Sequence, residues 1–275
     1  MSDEIQLIVG AINSLQGNAF KDYMLPIFLA LMSGLLGGGV AYYTVRTQEV
    51  TKIELEKVRI LNKTMLIAMQ IRHELVGIKT NYYTLNSQDP ISRIKAIPSM
   101  LINNKNITFD LSELAFIVKK GKNEPSSRWS QIEYIDTIFS NYHSLMKVWL
   151  ERNKLYENLL TNSNDKGIGI SHGICNETII QLSDLTERCI HMTDDVLVEI
   201  SCFLIGFSEI AKHKVNKKIT KLYASPIQFI LPDNTANTMA VDILSSIPEV
   251  DYYRLAELHQ TSIELCQQRY RKIYM

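Results

Sequence analysis

The stretch MLPIFLALMSGLLGGGVAYY, Met24 to Tyr43, decides how this chain is read. It lies between Asp22 and Arg46 with no charged side chain in the interval. At ~1.5 Å of rise per helical residue, its 20 residues reach ~30 Å, the thickness of a bilayer's hydrocarbon core. Pro26 falls in the first turn, where its missing N–H costs little. Tyr23, Tyr42 and Tyr43 stand at the two ends, where aromatic rings favour the headgroup region. The preceding stretch carries Asp3 and Glu4 rather than a basic cluster, so a cleaved signal peptide is not expected.

Working outward, the flanks predict an orientation. Only Lys21 precedes the span, whereas Arg46, Lys52, Lys57, Arg59 and Lys63 follow it. Basic residues stay on the cytoplasmic side, so the N-terminus is expected outside and the C-terminal part in the cytoplasm of an inner (plasma) membrane. Four cysteines, Cys175, Cys189, Cys202 and Cys266, suit a reducing compartment better than a disulfide scaffold. The next most apolar run, Val196 to Phe207, is short and contains Glu199, so it reads as a core helix. A bitopic protein with membrane lipid as its first partner follows.

The span carries a packing pattern. Ala30, Gly34 and Gly38 recur every four residues, and so do Ser33, Gly37 and Ala41. Small residues at this spacing let two helices approach closely in lipid, which predicts a homo-oligomer. Before the span, Ile5, Ile8, Ile12 and Leu15 trace one face of a short amphipathic helix.

The rest reads as helical. Lysine plus arginine equals aspartate plus glutamate, 29 each, and hydrophobic residues make up 46%. That balance excludes disorder and a surface built wholly for nucleic acid. Residues 46–57 are polar helix formers, as a stalk should be, and from Val58 apolar residues become dense, continuing to the turn at Asp89-Pro90. Asp110 is placed to start a short helix from Leu111 to Lys120. Ile132, Ile135, Phe139, Tyr142, Met146 and Trp149 mark a long helix, continued by Tyr156 and Leu160 past an interruption at Asn153. Leu182 through Phe207 mark another, from Asn176 to about Lys214. Residues 90–124 and 219–245 look irregular, and Ser225 to Leu231 could be extended. A last helix is predicted from the capping box Ser246-x-x-Glu249. The fold class expected is all-α: residues 1–22 an extracytoplasmic amphipathic segment, 23–45 the transmembrane helix, 46–57 the stalk, and 58–275 a cytoplasmic antiparallel helical bundle.

Several motifs bear on chemistry. His73-Glu74-Leu75 resembles the phospho-accepting box of membrane sensor histidine kinases. ENLLTNS, Glu157 to Ser163, and Asp165 to Gly169 resemble that family's asparagine and glycine boxes. In that family strands and helices separate those boxes and build the sheet that carries the nucleotide. Here only Asn164 stands between them and no sheet pattern follows, so no ATP site is expected. Arg254-x4-His259 resembles the active site of HEPN-type ribonucleases, in which two copies meet and the histidine does acid–base work on a ribose hydroxyl. The resemblance implies a membrane-tethered ribonuclease with Arg254 and His259 as its catalytic residues. It covers two residues, and Leu255 stands where the family carries a polar one. His172, Cys175, Cys189 and His191 are the possible zinc ligands, but Cys189 and His191 point apart on one helix, so no metal or cofactor is expected.

The densest basic cluster is Lys212, Lys214, Lys217, Lys218 and Lys221, with Arg269, Arg271 and Lys272 near the C-terminus. It suits an anionic leaflet, a phosphorylated ligand or nucleic acid, or it is a solvated helix end. The leading expectation is a non-enzymatic protein whose cytoplasmic domain recognises a partner, with a cytoplasmic protein first among the candidates, or a ligand, and acts through oligomerisation. Its output would be signalling, scaffolding or a membrane effector of the kind used in bacterial antiviral defence, on architecture alone.

Overall fold

The computed structural model describes residues 2–15, 23–102, 110–118, 127–165, 176–230 and 238–271, which form helices and turns but no strand. Two compact units divide the chain, residues 1–55 and 56–275.

In the first unit, α1 (Ser2–Leu15) opens with Asp3 and Glu4, acids suited to the positive end of the helix dipole, and leaves Ile5, Ile8 and Ile12 exposed. α2 begins at Leu25 and is one unbroken helix to Lys79, 55 residues. Its N-terminal part is apolar and exposed, with Leu31, Leu35, Leu36 and Val40 each more than 60% accessible. Among the described residues it is one helix long and apolar enough to cross a membrane.

In the second unit α2 turns one face inward: Val58, Leu61, Met65, Ala68, Ile71, Leu75 and Ile78 are buried at helical spacing. The helix was expected to run on toward Asp89 but stops at Lys79. Thr80 Oγ1 and Asn81 Nδ2 both donate to the Gly77 carbonyl, at 2.6 and 2.9 Å. These side chains occupy an acceptor that another helical turn would need. α3 (Pro90–Ala96) has Asp89 as its cap, accepting from Ser92 N at 2.8 Å, and Pro90 in its first turn. Asp110 caps as expected, but the segment after it, Leu111–Ile117, is a tighter 3₁₀ helix rather than an α-helix.

α4 (Ile132–Asp165) and α5 (Asn176–Lys214) are packed together and complete the core with α2. α5 starts and ends where the periodicity placed it. Most of its side chains from Leu182 to Ala211 are buried, and Val196 to Phe207 lies in its C-terminal half, with Val198 and Ile205 exposed. Asn153 does not interrupt α4. It lies on the buried stripe beside Arg152 and donates to the Met100 carbonyl at 2.7 Å. A short 3₁₀ turn, Arg128–Ser130, precedes α4 and brings Trp129 against α5, where a Cβ on Gly206 would stand 1.9 Å from the indole nitrogen.

The region 219–245 is less irregular than expected, holding part of α6 (Lys217–Leu222) and α7 (Thr238–Leu244). Between them residues 225–230 belong to neither a helix nor a strand. Asn62 on α2 does the bonding instead, accepting from Ile227 N at 2.7 Å and donating to Ser225 O at 3.4 Å. The single C-terminal helix predicted from Ser246 is two helices, α8 (Tyr252–His259) and α9 (Ile263–Arg269). Asp251, not Ser246, is the cap: its carboxylate accepts from Tyr253 N and Arg254 N. Gln260 then turns left-handed at φ 51°, and Ser262 caps α9. The pair shares a small core of Val250, Leu255, Ala256, Cys266 and Tyr270.

Candidate functional site

The exposed part of α2 is the first candidate. Ala30, Ser33, Gly34, Gly37, Gly38 and Ala41 all lie on its open surface. Cβ atoms added at Gly34, Gly37 or Gly38 would meet nothing within 4 Å. Ser33 turns its hydroxyl back to the Ala30 carbonyl, 2.9 Å away, which keeps that polar group satisfied within the helix. Among the described residues of the first unit, nothing covers this row.

The C-terminal pair α8–α9 seats on the domain through polar contacts that the sequence reading did not foresee. His259 Nε2 lies 2.7 Å from the Ser183 hydroxyl of α5. Burial lowers the His259 pKa below its ordinary value, Asp184 opposes that shift, and Arg269 adds to it. Asp184 accepts from Arg269 at 2.7 Å and from the Tyr270 hydroxyl at 2.5 Å. Burial and that carboxylate together raise the Tyr270 phenol. Arg254 points elsewhere, bonding Asp89 at 2.9 Å and reaching Asp251 at 3.8 Å. Arg254 and His259 therefore have separate partners within the chain.

Beneath this pair lies a polar layer inside the core. The Arg93 guanidinium meets Glu187 through two hydrogen bonds and gives a third donor to the carbonyls of Ser87 and Pro248. Burial raises the Glu187 carboxyl even with Arg93 against it. Arg152, on α4, donates to the carbonyls of Ile94, Ile97 and Pro98 and to Thr186. Burial pushes its guanidinium down to about 10. Lys79, at the end of α2, reaches Asp194 at 2.5 Å, and the Tyr142 hydroxyl donates to Glu74. Sequence spacing could not have found these pairs, because their members lie 68 to 115 positions apart. The signal available was a polar residue on an apolar stripe, as at Arg152 and Asn153.

The basic residues divide. Lys212 is held by Glu209 at 2.6 Å, and Lys214 Nζ donates to the Val118 carbonyl at 3.0 Å. Arg269 pairs with Asp184, whereas Lys217, Lys218, Lys221 and Arg271 are exposed. Lys272 lies outside the described residues, as do His172, Cys175 and residues 166–169 of the glycine-box imitation. His73 is an exposed helix residue, and Glu157 to Ser163 is part of α4. Among the described residues no group of three or more His, Cys, Asp or Glu side chains could hold a metal. Cys189 is buried in the core, and burial raises its thiol.

Two grooves open on the second unit. One, about 490 Å³, lies between α4 and α5 and is lined by Glu151, Lys154, Gln181, Asp184 and Arg188 among others. The other, about 430 Å³, has Met100, Ile102, Met146 and Ile78 for its apolar walls, with Glu74 and Asn81 beside them. No protein-family model, curated protein or solved structure matches the chain.

Proposed function

We propose that this chain is a single-pass membrane protein that acts by recognition and assembly rather than by turnover. In this reading residues 23–45 span an inner (plasma) membrane, with α1 outside. Residues 46–57 are the stalk of a cytoplasmic antiparallel bundle formed by residues 58–275. The bundle engages a cytoplasmic protein partner, and the spanning helices associate through Ala30, Ser33, Gly34, Gly37, Gly38 and Ala41. The output is signalling, scaffolding or a membrane effector role.

The observation that carries the reading is the continuous exposure of residues 23–50. Leu25 to Val40 includes Phe28, Leu29, Leu31, Leu35 and Leu36, none of them packed in a core. A row of apolar side chains this long is costly in water, at ~25 cal/mol per Å² of apolar surface, and lipid removes that cost. The open row of small residues adds support for helix association, because it is the part of the span through which backbones can meet.

The test exchanges Gly34→Ile together with Gly38→Ile. Oligomers of the parent in detergent should be lost in the double variant, and unchanged oligomers would remove the assembly mechanism. Protease added to intact spheroplasts should spare the C-terminal domain; digestion from the periplasm would reverse the orientation. RNA cleavage by the parent that disappears in His259→Ala would replace this reading with the ribonuclease.

A further inference from the structure

Helix α6 buries none of its side chains. A six-residue helix has little intrinsic stability, and helices of this size ordinarily persist by packing one face on the protein. α6 keeps its cap, Asn216 Oδ1 accepting from Lys218 N at 3.0 Å, and leaves Lys217, Lys218, Lys221 and Leu222 exposed with Ile219 and Thr220 half-buried. Leu222 is 77% exposed and Tyr223 65%, directly beside exposed Lys217, Lys218 and Lys221. Ile230, in the segment that follows, is 83% exposed.

The segment is presented, not loose. Val215 before α6 is buried, and Pro226 after it is buried too. Ile227 and Phe229 pack on the main core, and the Asn62 side chain bonds both Ser225 O and Ile227 N. The chain between Val215 and Pro226 is thus fixed at both ends, with Ala224 on the core and Ile219 half-buried, while Lys217, Lys218, Lys221, Leu222 and Tyr223 are exposed. Asn62 belongs to the first turns of α2 inside this unit, which begins at Glu56. The bonds of its side chain set the segment that follows α6 beside Asn62 within this unit.

We propose that α6 and its flanks, Lys217, Lys218, Lys221, Leu222, Tyr223 and Ile230, form a second, peripheral attachment to an anionic bilayer surface. The inference rests on the membrane reading above and deepens it. Lysines gain from anionic headgroups within a Debye length, while leucine, isoleucine and tyrosine insert at the boundary between headgroups and acyl chains. Nucleic acid or a phosphorylated ligand would use the same lysines, but would leave exposed Leu222 and Ile230 without a role.

The full chain is reconstituted into lipid nanodiscs, either zwitterionic or one-third phosphatidylglycerol, with ordinary or brominated acyl chains. Tyr223→Trp supplies the probe against the parent's buried Trp129 and Trp149, and Tyr253→Trp on α8 is the exposed control. In anionic discs the residue-223 signal should blue-shift and be quenched by brominated chains, while the control is unaffected. Lys217→Glu with Lys218→Glu and Lys221→Glu, or high salt, should abolish the quenching. Absence of quenching in discs that have incorporated the chain overturns the attachment and leaves the span intact. Equal quenching in zwitterionic discs that survives charge reversal also overturns it. A shift produced by a single-stranded RNA oligomer, without quenching by brominated lipid, assigns the patch to nucleic acid and overturns it. A chain that enters no disc overturns this inference together with the membrane reading.

Discussion

Arg93 and Glu187 face each other through two hydrogen bonds, Nε to Oε1 at 2.7 Å and Nη2 to Oε2 at 2.9 Å, with both side chains 1% exposed. The pair joins α3 to α5, and the remaining Arg93 donor holds the chain that leads into α8. Removing one partner leaves the other as an uncompensated buried charge. Glu187→Leu alone should cost about 3–5 kcal/mol of stability, and Arg93→Met with Glu187→Leu should recover most of that loss. Denaturant unfolding of the full chain in detergent, followed by tryptophan emission, measures both. A double variant as unstable as the single one would refute the account.

Gly206 owes its identity to Trp129. A Cβ there would lie 1.9 Å from the indole nitrogen and 2.1 Å from its neighbouring carbon. The ring is itself held by Phe203 and Tyr134 edges and by the Arg128 guanidinium 4.3 Å from its centre. It cannot shift without disturbing all three. Gly206→Ala should therefore destabilise by roughly 1–3 kcal/mol and red-shift the Trp129 emission. An unchanged spectrum and midpoint would show that the indole relocates freely.

His259 makes the seating of α8 sensitive to acid. Its pKa is lowered by burial from the ordinary 6.5, with Asp184 and Arg269 acting in opposite senses. Above pH ~6.5 the ring is neutral whether α8 is seated or not, and its contribution is fully present. Below that value the unseated ring takes up a proton first. The contribution is then lost progressively as pH falls through the lowered pKa. Hydrogen exchange in α8 and α9, corrected for intrinsic rate, should quicken between about pH 7.5 and about pH 5.5, and His259→Gln should flatten the change. Equal protection at both pH values in the parent would count against it.

The buried thiols should be inert. Burial raises both Cys189 and Cys266, and thiolate is the reactive form. Alkylation of the native chain at mild alkaline pH should spare these two and modify the half-buried Cys202 faster, as read by peptide mass spectrometry. Rapid modification of Cys189 without unfolding would contradict the packing.

Periodicity in the sequence is strong where a helix packs along its whole length. α5 was legible to its ends because apolar residues recur on several of its faces from Leu182 to Phe207. The exposed span of α2 was legible for a different reason, its lack of charge. Helix ends were harder to place, since local bonds compete there. Thr80 and Asn81 stop α2, and Asp251 outcompetes the Ser246 box, inside which Pro248 contributes no N–H. The polar layer was illegible because each of its pairs is made by tertiary proximity. Arg93 and Glu187 carry no local mark of each other, and the apparent break at Asn153 was a buried donor with a distant acceptor.

Arg152 collects the carbonyls of Ile94, Ile97 and Pro98 from a chain segment 54 to 58 positions away. Ile94 lies in the last turn of α3, and Ile97 and Pro98 follow it, so the cation supplies donors to carbonyls that the helix end leaves without an intrahelical partner. The consequence is temporal. Until α4 has docked, the carbonyls of Ile94, Ile97 and Pro98 lack these donors, and closing the long loop to Arg152 is an entropic cost that their bonds offset only afterwards. Substitutions that remove these donors, such as Arg152→Met, should therefore accelerate unfolding more than they slow refolding.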